Sequence, residues 1–203
     1  MTADRTRILV ISVPAIMVSF GSLVIFSFGA FIKPLHERFG WSRGGISLAF
    51  TLAALMVAIC SPALGRLIDR AGVRRVLLPC AAVYCLAFAS LTAIRSLWAL
   101  YLAYLVMGIV GNGSAHLAWA RVISSSFDRQ RGLALAGLMA GVGAGAIGIP
   151  PLASWLLGSL GWSVTCLTFA GAILVFGWLF PLLFLPRPRE SADASRPARS
   201  FRD

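Results

Sequence analysis

Long apolar runs separated by short polar punctuation set the pattern of this chain. The runs occupy 8–32, 46–64, 76–94, 97–119, 133–157 and 164–185. Each approaches the roughly 20 apolar residues that a helix needs to cross a hydrocarbon core of about 30 Å, where every backbone N–H and C=O must be bonded without water. The pattern predicts an all-α polytopic membrane protein of six transmembrane helices, spans 1 to 6, over 8–185. Residues 1–7 form a short basic segment before span 1. After residue 185 the chain turns abruptly to Pro186-Arg187-Pro188-Arg189 and a Ser, Ala, Arg and Asp tail, so 186–203 reads as a disordered cytoplasmic segment.

The punctuation predicts how the spans begin and end. Pro34, after Ile32 and Lys33, stops span 1 and leaves Lys33 to snorkel to the headgroups, with a short outer loop over 35–43. Gly40-Trp41-Ser42 reads as a turn, an interfacial tryptophan and a helix N-cap, and Gly161-Trp162-Ser163 repeats it before span 6. The pair Pro150-Pro151 kinks or breaks span 5. Small residues at Ser47, Thr51, Ala54, Ala58, Ser61 and Gly65 line one face of span 2, and Gly137, Gly141 and Gly145 lie four apart on span 5. Such faces let helix backbones approach closely in lipid, so both spans expect close partners.

Composition agrees with lipid: 59% of residues are hydrophobic and 12% charged, against about a quarter charged in soluble domains. The net charge of +11 at first suggests nucleic acid, but the basic residues are scattered through short loops and form no single patch. They encode topology instead. Fourteen arginines fall on the side of the N-terminus, the 2–3 and 4–5 loops and the C-terminal tail, whereas Lys33, Arg38, Arg43 and Arg95 fall on the other. That asymmetry puts both termini in the cytoplasm of a multi-pass cell (inner) membrane protein. The first run is long enough to span and lacks a small-residue cleavage site, so it reads as a retained helix. Cys60, Cys80, Cys85 and Cys166 lie inside spans without metal spacing; they read as packing residues, and no cofactor or metal is expected.

Between spans 2 and 3 stands Gly65-Arg66-Leu67-Ile68-Asp69-Arg70-Ala71-Gly72-Val73-Arg74-Arg75. This order of glycine, acid, base, glycine and basic pair resembles the signature loop of the major facilitator superfamily. Val73 stands where that family has its first basic residue, and the Arg74-Arg75 pair sits one step on. Gly65 would permit close helix approach, Gly72 a tight turn, and Asp69 can face a helix N-terminus or an arginine. The positive-inside rule alone would explain the arginines, but not Asp69 with both glycines. The stretch from Phe127-Asp128-Arg129-Gln130-Arg131-Gly132 to Ala140-Gly141 resembles the start of span 5 in monocarboxylate transporters and bacterial oxalate and formate exchangers. Ser126 and Leu138 depart from that pattern. Phe39 to Arg43 also resembles bacterial members of the branch, while the acidic, tryptophan-containing motif of animal members is absent from span 1.

The resemblance implies one half of a twelve-helix transporter, built as two three-helix repeats, with substrate held near the midplane between halves. The partners implied are lipid, a small organic anion such as a monocarboxylate, protons, and a second six-helix half supplied by self-association or by a separate chain. Spans 1 and 4 would line the cavity, and spans 2 and 5 would meet the other half. Intramembrane polar groups are costly and hence candidates for function. Asn112 and His116 share a face of span 4, and Ser12, Ser19 and Ser22 share one of span 1. The expected cavity wall is therefore Ser19, Ser22, Asn112 and His116, with His116 the proton site because its ordinary pKa lies near neutrality. The simpler alternatives are an interhelical bond for the histidine and local backbone bonds for the serines. The signature-loop and gating set is Gly65, Asp69, Arg70, Gly72, Arg74, Arg75, Arg121, Arg129 and Arg131, with a gate between Arg121 and Asp69 set against simple inside-loop charge for Arg121. None of the seven carboxylates lies deep in a span. In the resembling branch the substrate-pairing cations lie largely in the second half.

Two other classes compete. An intramembrane serine protease is suggested by Asn112, Ser114 and His116, but residues two apart on a helix point away from each other, and the other histidine, His36, is in an outer loop. A non-transporting membrane subunit or inactive fragment is the second. The reading adopted is secondary transport, with no enzymatic activity.

Overall fold

A computed structural model of the chain describes residues 12–111, 113, 116–126 and 131–184, and among these it is all-α with no strand. The segments expected at 1–7 and 186–203 lie outside the described residues. The elements are α1 (Ile25–Phe39), α2 (Arg43–Ala71), α3 (Val73–Ser90), α4 (Leu97–Gly111), α5 (His116–Ser126), α6 (Arg131–Ala172) and a short α7 (Phe180–Phe184). A helical stretch at 12–17 and a π-helical turn, Phe20–Val24, precede α1; a 3-10 turn, Leu91–Ala93, extends α3; and a π-helical stretch, Ile173–Leu179, joins α6 to α7. By length and composition, Arg43–Ala71, Val73–Ala93 and Gly132–Leu183 are each able to cross a membrane, and Leu97–Gly111 is a shorter apolar helix. Leu86, Trp98, Leu102, Leu133 and Ile147 stand largely exposed, as a lipid-facing surface requires.

The helix ends follow from local chemistry, not always as the punctuation suggested. Span 1 does not stop at Pro34. The proline costs one bond, to the Ala30 carbonyl, and α1 continues to Phe39, where Gly40 takes the left-handed conformation at φ 68°. The expected outer loop is thus largely the last turns of α1, and only three residues connect it to α2. The Ser42 hydroxyl accepts a bond from the Gly45 N–H at 3.1 Å and caps α2 as expected. At the other end α2 runs past residue 64 to Ala71, so most of the signature segment is helix. Only Gly72, at φ 85°, turns the chain into α3.

The proline pair does not break α6. The sole non-helical residue within it is Gly161, at φ 76° and ψ 178°. Two carbonyls, those of Ala146 and Ile147, lose their ladder donors, which a helix held by neighbours tolerates. At Gly161 the chain doubles back. Before it, Gly145 lies against Ser22, and after it, Gly177 faces Val18, while Trp162 packs on Phe31. Trp162 is no interfacial anchor: it is buried, and its Nε1 donates to the Leu91 carbonyl at 2.9 Å, pinning the turn to the end of α3.

Two apolar cores lie along the bundle. One gathers Phe31 and Leu35 of α1, Ile46 and Ala49 of α2, Leu91, Leu100 of α4, and Leu156 and Trp162 of α6. The other gathers Ala15 and Ile16, Ile68 at the end of α2, Val76 and Leu77 at the start of α3, Trp119 and Val122 of α5, and Ala134 and Leu138 of α6, with Phe180 against it. Successive segments therefore run from one core to the other and back. Backbones come closest where α2 crosses α4. A Cβ at Gly108 would meet the Ala53 backbone, and the Tyr101 hydroxyl donates to the Gly45 carbonyl at 3.0 Å.

Candidate functional site

Chemistry-bearing groups gather at three levels of the bundle. At the end carrying the second core, the last turn of α2 projects Asp69 towards Arg121 of α5, and the two form an ion pair that is half exposed. Nearby, Arg74 at the start of α3 donates to the Leu182 carbonyl of α7 at 2.8 Å. These two contacts fasten four elements together at one end. Gly72 makes the arrangement possible, since the left-handed turn brings α3 back within a single residue of α2. Arg70 and Arg75 are exposed. Gly65 is open, with nothing within 4 Å of a Cβ placed there, so the close approach expected of it does not occur among the described residues. Arg129 and the Arg131 side chain lie outside the described part.

At mid-height the regular helix fails. Ser19 is extended at ψ 165°, and its carbonyl receives the N–H groups of Ser22 and Leu23 at 3.2 and 2.8 Å, opening the π turn. Opposite it, Gly111 presses on Phe20, where an added Cβ would stand 2.6 Å from the phenylalanine Cβ and 2.7 Å from its ring Cγ, and Gly113 turns beside Cys80. The Phe20 ring meets Tyr84 edge-on at 6.5 Å. Around this level the hydroxyls of Ser19, Ser22 and Tyr84 are buried without a hydrogen-bond partner among the described residues. Such groups are expensive when unsatisfied, so they mark a place where a polar ligand, water or side chain is required. Ser19 and Ser22 are 3% and 0% exposed, so they point into the bundle and not onto an open face. Asn112 and Ser114 lie outside the described residues, as does the His116 side chain; His116 itself opens α5 just past the discontinuity.

The glycine row of span 5 belongs to this level. Gly141 and Gly145 are buried against the first segment, where Cβ atoms would approach Ile16 Cγ2 at 3.0 Å and Ser22 Cβ at 3.2 Å, while Gly137 has nothing within 4 Å. The close partner of this row is therefore span 1 of the same chain.

The third level was not anticipated. At the end of the first core, α1 and α6 leave a cavity of about 490 Å³ lined by Gly29, Ala30, Lys33, Pro34, Glu37, Ser154, Leu157 and Gly158. Lys33 and Glu37 face each other across one turn at 3.8 Å and are largely exposed. The signal was available in the i, i+4 spacing of Lys33 and Glu37. It was obscured because Pro34 argued against a helix there.

Comparison with known proteins places these features. A profile described as the Major Facilitator Superfamily matches residues 13–202. The tetracycline resistance protein, class C, of Escherichia coli is 38% identical over 120 residues, which make up 59% of this chain and 29% of that protein. The match thus spans under a third of that relative's length.

Proposed function

The chain belongs to the Major Facilitator Superfamily, and from that premise we propose that it contributes to secondary transport of a small solute across the cell membrane by alternating access. The carrying observation is the end-to-end asymmetry of the bundle. One end is fastened by Asp69 with Arg121 and by Arg74 with the Leu182 carbonyl, while the other keeps a 490 Å³ cavity between α1 and α6. A half exposed ion pair is worth under about 1 kcal/mol, weak enough to break and re-form during a cycle. The alternation of segments between the two cores supports six crossings, and the distribution of basic residues supports both termini in the cytoplasm, so that the fastened end is the inner one. The bundle works with a second one of like size, whatever polypeptide supplies it.

The proposed substrate is a small organic anion such as a monocarboxylate, supported by the resemblance over Phe127 to Gly141 and by Lys33 in the outer cavity. Ser19 and Ser22 belong to the polar level that solute or protons engage, their buried hydroxyls supplying hydrogen bonds, and Asn112 and His116 of span 4 are assigned to the same role from the sequence. A second reading, a tetracycline-like drug, is favoured by the 38% identity to the tetracycline resistance protein. Uptake into proteoliposomes separates them, using labelled monocarboxylates and labelled tetracycline, with and without a pH gradient and with a candidate second bundle. Asp69→Asn is expected to lower uptake at least about tenfold, and the exchange Asp69→Arg with Arg121→Asp to restore part of it. Unchanged uptake in Asp69→Asn would remove the gate from the proposal.

A further inference from the structure

A groove runs down the outside of the bundle between α3 and α4, on a face that the ion pair, the polar level and the α1–α6 cavity do not use. Its volume is about 430 Å³. Val83, Leu86, Ala87 and Ser90 recur at helical spacing along α3, and Ala99, Leu102, Ala103 and Val106 repeat that spacing on α4. Alanines form the floor and larger side chains the rims: Ala87 and Ala103 are buried, whereas Leu86 is 69% and Leu102 64% exposed. The stretch from Val83 to Ser90 is about 10 Å of helix at 1.5 Å per residue. The one hydroxyl of the lining is already satisfied, because Ser90 donates to the Ala87 carbonyl at 2.7 Å. The groove is therefore an apolar slot for an extended hydrocarbon chain.

Its mouth has a different character. Ala93 and Ile94 close the groove, and Arg95 follows in the connection to α4, exposed and without an ion pair or hydrogen bond among the described residues. No carboxylate occurs between Asp69 and Asp128, so neither helix of the groove carries an acid to neutralise it. The nearest carboxylate at this end of the chain's fold, Glu37 of α1, is engaged with Lys33. Trp98, 80% exposed, stands one turn beyond with its ring edge-on to Tyr101 at 5.7 Å, an amphipathic aromatic of the kind enriched at the headgroup level.

We infer that this groove is a phospholipid site, taking one acyl chain between α3 and α4 with the lipid phosphate on the Arg95 guanidinium. A long apolar slot ended by an unpaired arginine and an interfacial tryptophan matches the sequence of chemistries along a phospholipid, and nothing in it suits a peptide or a soluble ligand. Net-anionic lipids bind better than zwitterionic ones, because a choline headgroup brings a second cation to an end of the bundle that has no spare acid among the described residues. The site does not depend on what is transported.

The test reads retained lipid directly. The full chain is taken from nanodiscs of equal dioleoylphosphatidylglycerol and dioleoylphosphatidylcholine, and the lipid remaining bound in detergent is counted by native mass spectrometry. One retained phosphatidylglycerol per chain is expected. Arg95→Glu, an exposed substitution that leaves the core untouched, is expected to cut that retention at least about tenfold, the scale of one lost charge-assisted contact, with Arg95→Lys recovering most of it. Ser90→Trp fills the slot and is expected to abolish retention of both lipids while the protein stays monodisperse. Arg43→Glu, the same charge change at the same end but outside the groove, leaves retention as it was. Equal loss in Arg43→Glu and Arg95→Glu would show general surface attraction and overturn the site, as would retention undiminished by Ser90→Trp or no preference for phosphatidylglycerol.

Discussion

The space around single glycines decides which substitutions this bundle can absorb. Gly108 is buried where α2 and α4 cross, and an added Cβ would lie 2.8 Å from Ala53 Cα, a backbone atom that cannot swing aside. Gly108→Ala should therefore cost about 1–3 kcal/mol, as overpacked cores do, and lower the unfolding temperature in detergent. Gly143, on the same kind of apolar helix, has nothing within 4 Å of a Cβ. Gly143→Ala should leave stability unchanged or raise it by up to about 1 kcal/mol through helix propensity. The contrast is the measurement: equal effects at the two positions would mean that backbone approach is not what glycine provides at Gly108. Gly145 falls between them, since its neighbour is the Ser22 side chain, 3.2 Å from the added atom, and a serine on a π turn can shift by a few tenths of an ångström. Substitutions at Asp69 and Arg121 are expected to change stability little, since their ion pair is half exposed, and to change uptake much if the proposed gate operates.

Among the elements, the turn at Gly161 carries the strongest prediction. The backbone at φ 76° and ψ 178° is open to glycine and strained for any L side chain, and it reverses the chain after α6 has passed the proline pair. Gly161→Ala should cost about 1–2 kcal/mol, and Trp162→Phe about 1 kcal/mol for the lost bond to the Leu91 carbonyl, both read as lower unfolding temperatures. Substituting Pro150 by Ala should change little, because the helix already runs through it. Elements of this kind were partly legible from the chain alone. Gly40, Ser42 and Gly72 act where their chemistry said they would, because caps and left-handed turns depend on one or two residues. The prolines misled, at Pro34 and at the 150–151 pair. A proline removes one donor, and neighbouring helices can hold the remaining ladder, a fact of packing that no local window contains. The π turn at Phe20–Val24 was hidden for a similar reason. It packs against another segment, through the contact between Phe20 and Gly111, which no local window contains. The buried hydroxyls were legible as polar residues on one face of span 1, but which way that face turned was not.

At the scale of the whole molecule the unequal burial of its long helices bears on where the proposed second bundle would sit. Only 17% of the most apolar stretch of α2 is buried, against 39% for the Val73–Ala93 helix. The α2 surface left over carries the row of small residues, with Thr51, Ala54 and Ala58 exposed while Ile46, Ala49 and Ala53 of the opposite face are buried. On α6 the exposed counterparts are Ala140, Gly143 and Ala144, one face away from the Gly141 and Gly145 pair that span 1 has filled. Lipid wets leucine as readily as a protein does, so an exposed leucine on α3 implies no partner. A row of small residues gains little from lipid and much from a closely approaching backbone. The groove-bearing α3 and α4 face is thus expected on the lipid side, and the α2 and α6 rows where the proposed second bundle should sit. Single cysteines placed at Ala58 and at Ala144, in a background lacking Cys60, Cys80, Cys85 and Cys166, should crosslink to that bundle in native membranes with a short reagent. A cysteine at Leu86 should not. Crosslinking that failed at both small-residue positions while uptake persisted would mean that one bundle suffices, and the asymmetry between its fastened and open ends would then have to supply alternating access within a single core.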